Sequence, residues 1–320
     1  MDAFAQMNDY GSRKIPFLFV IDFELKKPFA IPLSQIDPSA LLFNIEGNHN
    51  CSGRSEVPPS CNFSIRKPVS FDRYKSAFKY CSEQLKIGNS YLLNLTFPTE
   101  IETDLSLQQI FHLSRSKYKL WLRDDCVCFS PETFIKINNG MIYSFPMKGT
   151  IDAAIPDAGN LILNNAKETA EHYTIVDLIR NDLSMVATGV RVDRFRYIEK
   201  ISTNKKDLLQ LSSQISGKLP DDYADHIGDI LLTLLPAGSV SGAPKKKTLQ
   251  IIANAEQYQR GYYTGIFGVF DGVGLNSAVM IRFIEQRNGK LFYKSGGGIT
   301  TQSCLEQEYN EMLDKVYLSV

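Results

Sequence analysis

The amino-acid sequence predicts an α+β protein. Three observations carry this. Apolar strand runs are interrupted by helices without a regular strand–helix alternation. An Asn-Gly pair, Asn139 and Gly140, sits between two alternating apolar runs, which marks a β-hairpin. Apolar residues make up 43% of the 320, enough for a substantial core in one or two lobes.

Taken in order, short apolar runs at 17–23 and 41–45, punctuated by Pro28, Pro32 and Pro38, predict strands and turns. Residues 51–68 turn to Ser, Pro, Asn and Arg and predict a loop, the best internal boundary. Ser70 opens an amphipathic helix with Tyr74, Ala77, Phe78, Cys81 and Leu85 on one face, stopped at Gly88. The run SYLLNLTFPTEI predicts a buried strand, 106–114 a short helix, and 119–129 leads into the hairpin. Beyond it, 160–183 has a long helical pattern, 190–198 and 208–215 predict strands, and 221–235 a helix stopped by Pro236. GSVSGAPKK is a Gly-rich turn opening a helix through Ala255. Strands follow at 264–270, 277–284 and 290–294, then the triplet Gly296, Gly297, Gly298 and a closing helix over 304–318.

Composition excludes several functions. Lys plus Arg and Asp plus Glu are 35 each, so nothing predicts nucleic acid as a partner. No run approaches the roughly 18 apolar residues of a membrane helix, so no membrane association is predicted. The first residues, MDAFAQMNDYGSRK, lack the charged-then-apolar order of a secretory signal, and a cytoplasmic location is expected. The six cysteines, Cys51, Cys61, Cys81, Cys126, Cys128 and Cys304, form no CxxC pair. None lies in a Gly-x-Cys-x-Gly elbow, so no thiol glutaminase is expected within the chain. Four histidines without HExxH make a His-rich metal site unexpected.

The hairpin carries one carboxylate and one amine, Glu132 and Lys148. With a two-residue loop, Glu132 pairs with Met147 and Lys148 points to the other side. With Asn138 in a three-residue loop, Glu132 pairs with Pro146, and Lys148 lies diagonally beside Glu132 on its face. The second register is the one expected. Such a lysine is ordinarily a solvated strand end, and an ion pair with Glu132 is the plain alternative. The sharper reading is an amine nucleophile beside a protonated general acid.

Two helices carry paired carboxylates. Glu168 and Glu171 are three residues apart, roughly 60° around the axis, and Glu308, Glu311 and Lys315 share a face by the same arithmetic. Mg²⁺ needs only one or two protein carboxylates plus substrate oxygens and water; spacing alone favours solvated faces with local ion pairs. GSVSGAPKK does not match the P-loop spacing, and 265–274 is not a dinucleotide fingerprint. Gly296, Gly297 and Gly298 would let backbone N–H groups approach a carboxylate. Arg282, inside an apolar strand, suits that carboxylate or a buried structural role equally.

Together SPETF, FPMKGT, KETAEHYTIVDLIRNDL, LLPAGSVSGAPKKKTLQII, RGYYTGIFG, MIRF and SGGGITTQSCLEQEYNEMLDKV resemble the chorismate-utilising enzymes, in family order from about residue 70 onward. The lysine of the PxKGT block, sixteen positions after Glu132, is similar to aminodeoxychorismate synthase component I; anthranilate and isochorismate synthases usually carry alanine there. The resemblance implies two large packed β-sheets with helices outside, an α/β/β/α sandwich. Residues 69–320 would be the chorismate-binding catalytic domain, and 1–68 a shortened N-terminal part of the same sandwich. It implies Mg²⁺ held by Glu171 and Glu311, supported by Glu168 and Glu308. Arg282, Tyr263, Lys315, Ser241, Thr150 and the glycine triplet would bind chorismate. Glu132 would protonate the departing 4-hydroxyl while Lys148 attacks C2; ammonia would then displace the lysine to give 4-amino-4-deoxychorismate. Ammonia would come from a separate glutamine amidotransferase subunit, and a separate aminodeoxychorismate lyase would act downstream.

Three departures bear on this. Leu92 stands where the family has Gln or, in isochorismate synthases, Lys, so nothing polar there activates water. Gln210 replaces a histidine associated with pyruvate elimination in the anthranilate branch. The N-terminal third is short, and the family's LLES-type tryptophan site is not visible. Anthranilate or isochorismate synthesis, and a non-catalytic binding protein on this fold, are the rival expectations.

Overall fold

The computed structural model describes residues 2–51, 62–202 and 207–318. Its elements form two large antiparallel sheets flanked by helices, an α+β fold. By contacts the chain divides into two units, each assembled from separated segments. The first comprises Met1–Phe17, Thr133–Ser239 and Val269–Ser277; the second comprises Leu18–Glu132, Val240–Gly268 and Ala278–Val320.

The second unit contains one sheet entire. Its strand order is Gly242–Ala243, Leu92–Thr103, Lys290–Ile299, Phe283–Arg287, Cys126–Ser130, Tyr118–Leu122, Leu41–Ile45 and Asn48–His49, with Phe63–Lys67 also paired to Leu92–Thr103. The helix Phe71–Lys86 begins where the Ser70 side chain accepts the Arg73 N–H. It buries Tyr74, Ala77, Phe78, Cys81 and Leu85 against Leu93, Leu95, Phe97, Ile252 and Met312. Ser106 and Gln109 close a capping box at the start of Leu107–Leu113. Cys126 and Cys128 are core thiols with no exposed surface. The predicted loop at 51–68 holds the strand Phe63–Lys67; residues 52–61, with Cys61, lie outside the described residues.

In the first unit, Asp207–Lys218 pairs with Met147–Asp152 and Met141–Ser144 along one edge and with Thr188–Ser202 along the other. The hairpin is present, with Met141 opposite Asn138, Ile142 opposite Ile137 and Tyr143 opposite Lys136. This is the two-residue loop, contrary to the expected three-residue register. Asn139 and Gly140 both have positive φ, 50° and 71°, as a type I′ turn requires. The hairpin strands are Thr133–Asn138 and Met141–Ser144, so neither Glu132 nor Lys148 belongs to them.

Four further predictions change. The helical pattern over 160–183 is two helices, Ala158–Leu163 and Ala166–Ser184, because the Asn165 side chain caps the second by accepting the Glu168 N–H. The strand over 277–284 is interrupted between Leu275–Val279 and Phe283–Arg287, with Arg282 at φ 54°, so Arg282 lies outside strand geometry. The glycine triplet is inside the strand Lys290–Ile299, opposite Thr96, Leu95 and Asn94. Finally, the first residues form a helix, Ala3–Ser12, that the sequence reading did not contain. Asn8 accepts the Gly228 N–H at 2.7 Å there, a contact between segments over two hundred residues apart. Among the described residues, no helix is long and apolar enough to cross a membrane.

Candidate active site

In the first unit the site is built on a defect in strand pairing. Lys148 lies opposite Leu211 and Thr150 opposite Gln210, with a register shift between them. In a regular strand Lys148 and Thr150, two apart, would share a face. The extra residue at Gly149 turns them apart. Lys148 then lies on the face of the fully buried Leu211, with its Nζ 3.7 Å from Glu171 Oε2 on the helix Ala166–Ser184. Thr150 is exposed. Gly149 has φ +74°, and a Cβ there would stand 3.1 Å from Glu168 Oε2. Glycine thus serves both the bulge and the close approach of the second carboxylate.

His172, next to Glu171, is fully buried with Nε2 2.7 Å from Ser213 Oγ. Burial first, then the Arg196 and Lys148 cations, pushes its pKa down to about 4. Neither His172 nor Ser213 was singled out from sequence. The one available signal was a histidine adjoining a carboxylate pair in an amphipathic helix.

In the second unit the other carboxylate pair converges on the glycine triplet. A Cβ at Gly297 would lie 3.4 Å from Glu308 Oε2, 3.6 Å from Glu311 Oε1 and 3.8 Å from Lys315 Nζ. Lys315 donates to Glu311 Oε1 at 2.7 Å and to the Gly296 carbonyl at 2.9 Å. Glu308 is 3% exposed, whereas the Glu311 side chain is 53% exposed. Gly298 lies opposite Asn94 on the same strand pair.

A second cluster in this unit surrounds Tyr263, which is buried 5.9 Å from the Phe283 ring. Burial raises its phenol above the ordinary range, Arg260 opposes this and Glu256 adds to it; Arg282 and Glu132 act more weakly, within electrostatic reach. Arg282 donates from Nε to Tyr317 Oη at 3.2 Å. Glu132 is half-buried, its N–H donating to Ser130 Oγ and its carbonyl accepting the Val279 N–H. Ser241 is fully buried, and Leu92 is an apolar core residue opposite Ala243.

Each unit therefore offers a helix with two carboxylates, one of them beside a lysine ammonium. Two carboxylates are the protein share of a Mg²⁺ shell, and carboxylate oxygen is the donor that ion selects, so the residues fit it. Among the described residues, no group of three or more His, Cys, Asp or Glu is gathered for a metal.

A family model described as chorismate binding enzyme matches residues 37–319. The chain belongs to the chorismate-binding enzymes. An uncharacterized PabA-like protein of Haemophilus influenzae is 55% identical over 315 residues, covering 98% of this chain and 95% of that protein. Aminodeoxychorismate synthase component 1 of Bacillus subtilis is 30% identical, covering 82% of this chain and 58% of that one. The Escherichia coli protein of that name is 32% identical, covering 77% and 56%. The chain thus spans little more than half the length of these two synthases. The menaquinone-specific isochorismate synthase MenF of Escherichia coli superposes with TM-score 0.75 at 16% identity, over 98% of this chain and 79% of that one. Anthranilate synthase component I of Streptococcus pneumoniae gives 0.67 at 24%, over 80% and 58%. These two likenesses bear on the fold alone, which this chorismate-binding enzyme shares.

Proposed function

We propose that this chain is an aminodeoxychorismate synthase component I, converting chorismate and ammonia to 4-amino-4-deoxychorismate and water. The observation that carries the reading is Lys148, turned by the Gly149 bulge onto a buried face beside Glu171. An amine there can serve as a nucleophile, and holding it in place converts attack into a unimolecular step.

In this reading Glu132 gives its proton to the departing 4-hydroxyl, which leaves as water, while Lys148 Nζ bonds to C2. Ammonia then bonds to C4, the Lys148–C2 bond breaks, and the lysine is released as the free amine. Arg282, Tyr263, Lys315, Ser241 and the backbone of Gly296, Gly297 and Gly298 bind and orient chorismate; Thr150, expected among them from sequence, is turned by the bulge to an exposed face away from Lys148 and is left out. Glu171 and Glu311 would hold Mg²⁺, with Glu168 and Glu308 supporting them. The bound ion would supply a counter-charge for the ring carboxylate of chorismate. Apolar Leu92 offers no group to activate water, which favours a nucleophile borne by the protein. Ammonia comes from a separate glutamine amidotransferase subunit, and a separate lyase releases 4-aminobenzoate.

The test is Lys148→Ala assayed with chorismate, Mg²⁺ and ammonium. Loss of product formation with an unchanged melting temperature is the expected result. Retention of the wild-type rate would overturn the lysine mechanism.

A further inference from the structure

We propose that Ser213, together with His172, is a positioning pair that sets the separation of Glu171 and Lys148. The catalytic consequence rests on the synthase reading above; the geometry does not.

Ser213 is a buried junction of three segments. Its backbone N–H donates to the Pro146 carbonyl at 2.9 Å, anchoring the chain just before Lys148. Its Oγ accepts the Arg196 N–H at 2.9 Å and lies 2.7 Å from His172 Nε2. His172 directly follows Glu171 on the helix Ala166–Ser184, so this hydroxyl fastens the Glu171 helix to the residue that anchors the Lys148 strand. Both side chains have no exposed surface. Removing the hydroxyl takes the hydrogen-bond partner from a buried imidazole nitrogen and from the part-buried Arg196 N–H.

Two features indicate that the junction controls placement rather than merely filling space. First, Nζ of Lys148 is 3.7 Å from Glu171 Oε2, too long for a hydrogen bond, so that contact cannot fix its own distance. The packing of the helix Ala166–Ser184 against the Lys148 strand must contribute to setting it. Second, Arg196 is held at φ +49°, where non-glycine residues are rare, with its Nη2 donating to the Leu163 carbonyl at 2.6 Å. The serine oxygen therefore meets a backbone N–H presented by a strained residue, an arrangement that persists only when its surroundings enforce it.

The test uses Ser213→Ala, Ser213→Thr and His172→Phe, the last retaining a ring against Phe195, which is 5.8 Å from the His172 ring. The first readout needs no catalytic activity: modification of Lys148 by an amine-acylating reagent, followed by peptide mass spectrometry and normalised to the exposed Lys218. In folded Ser213→Ala and His172→Phe the Lys148 rate should rise about twofold to fivefold, the scale of a weakened, partly exposed ion pair. Ser213→Thr should remain at the wild-type rate. The second readout is product formation, in which the two disruptive variants should lose kcat by tenfold to a hundredfold, the order expected for misplaced groups, with KM unchanged. If the wild type makes no aminodeoxychorismate, the functional reading fails while the labelling result stands independently. If either disruptive variant is folded and labels Lys148 at the wild-type rate, the positioning role is overturned; if neither folds, Ser213→Thr decides it, a wild-type labelling rate supporting the role and a faster one overturning it.

Discussion

Gly149 allows the site geometry to be separated from ordinary backbone strain. Alanine at φ +74° incurs the left-handed penalty, about 1–2 kcal/mol, and its Cβ would press on Glu168 Oε2 from 3.1 Å. Gly189 supplies the control, since it has φ +61° with nothing within 4 Å of an added Cβ. Both Gly149→Ala and Gly189→Ala should therefore shift the urea midpoint by the equivalent of about 1–2 kcal/mol. Only Gly149→Ala presses on a carboxylate, that of Glu168, and it does so at the residue next to Lys148. A displacement of a few tenths of an ångström at that position should reduce product formation on the order of tenfold, with a raised Mg²⁺ requirement. The assay is urea unfolding of both variants, followed by initial rates across a Mg²⁺ titration. Full activity in Gly149→Ala, or an equal loss in Gly189→Ala, would refute the claim that the bulge aims Lys148.

Three other outcomes follow from the same physical terms. Glu256→Ala should destabilise the protein by about 3–5 kcal/mol in urea, because Arg260, with Nη2 2.6 Å from Glu256 Oε1 and both side chains 1% exposed, would remain as an unpaired buried cation. Asn139→Gly should leave the thermal midpoint near wild type, whereas Asn139→Val should lower stability by about 1–2 kcal/mol because φ is 50° in the type I′ loop. Glu171→Gln should raise the Mg²⁺ concentration for half-maximal rate by about tenfold with little change in melting, and a chelator should abolish the wild-type rate until Mg²⁺ is restored.

Local chemistry made much of the fold legible in advance. The helix Phe71–Lys86 follows from its Ser70 start and apolar face. Where two signals competed, the prediction slipped. Asn165 read as a position within a continuous helical pattern, but its side chain caps a new helix. The Ala3–Ser12 helix is tied by Asn8 to Gly228, more than two hundred positions away, a contact to which a local reading is blind. For the site, the hairpin explanation of Lys148 was wrong: a type I′ turn fixes the other register, and Lys148 sits on the next strand. Its direction comes instead from the bulge at Gly149, a pairing irregularity with no periodic trace in sequence. The paired carboxylates were legible because three-residue spacing on a helix is a local property. His172 and Ser213, forty-one positions apart, required the tertiary structure.

The central claim is most directly tested by identifying the product formed from chorismate, Mg²⁺ and ammonium, by chromatography and mass spectrometry with and without aminodeoxychorismate lyase. The account predicts 4-amino-4-deoxychorismate, converted to 4-aminobenzoate when the lyase is added. Anthranilate or isochorismate as the main product would contradict it.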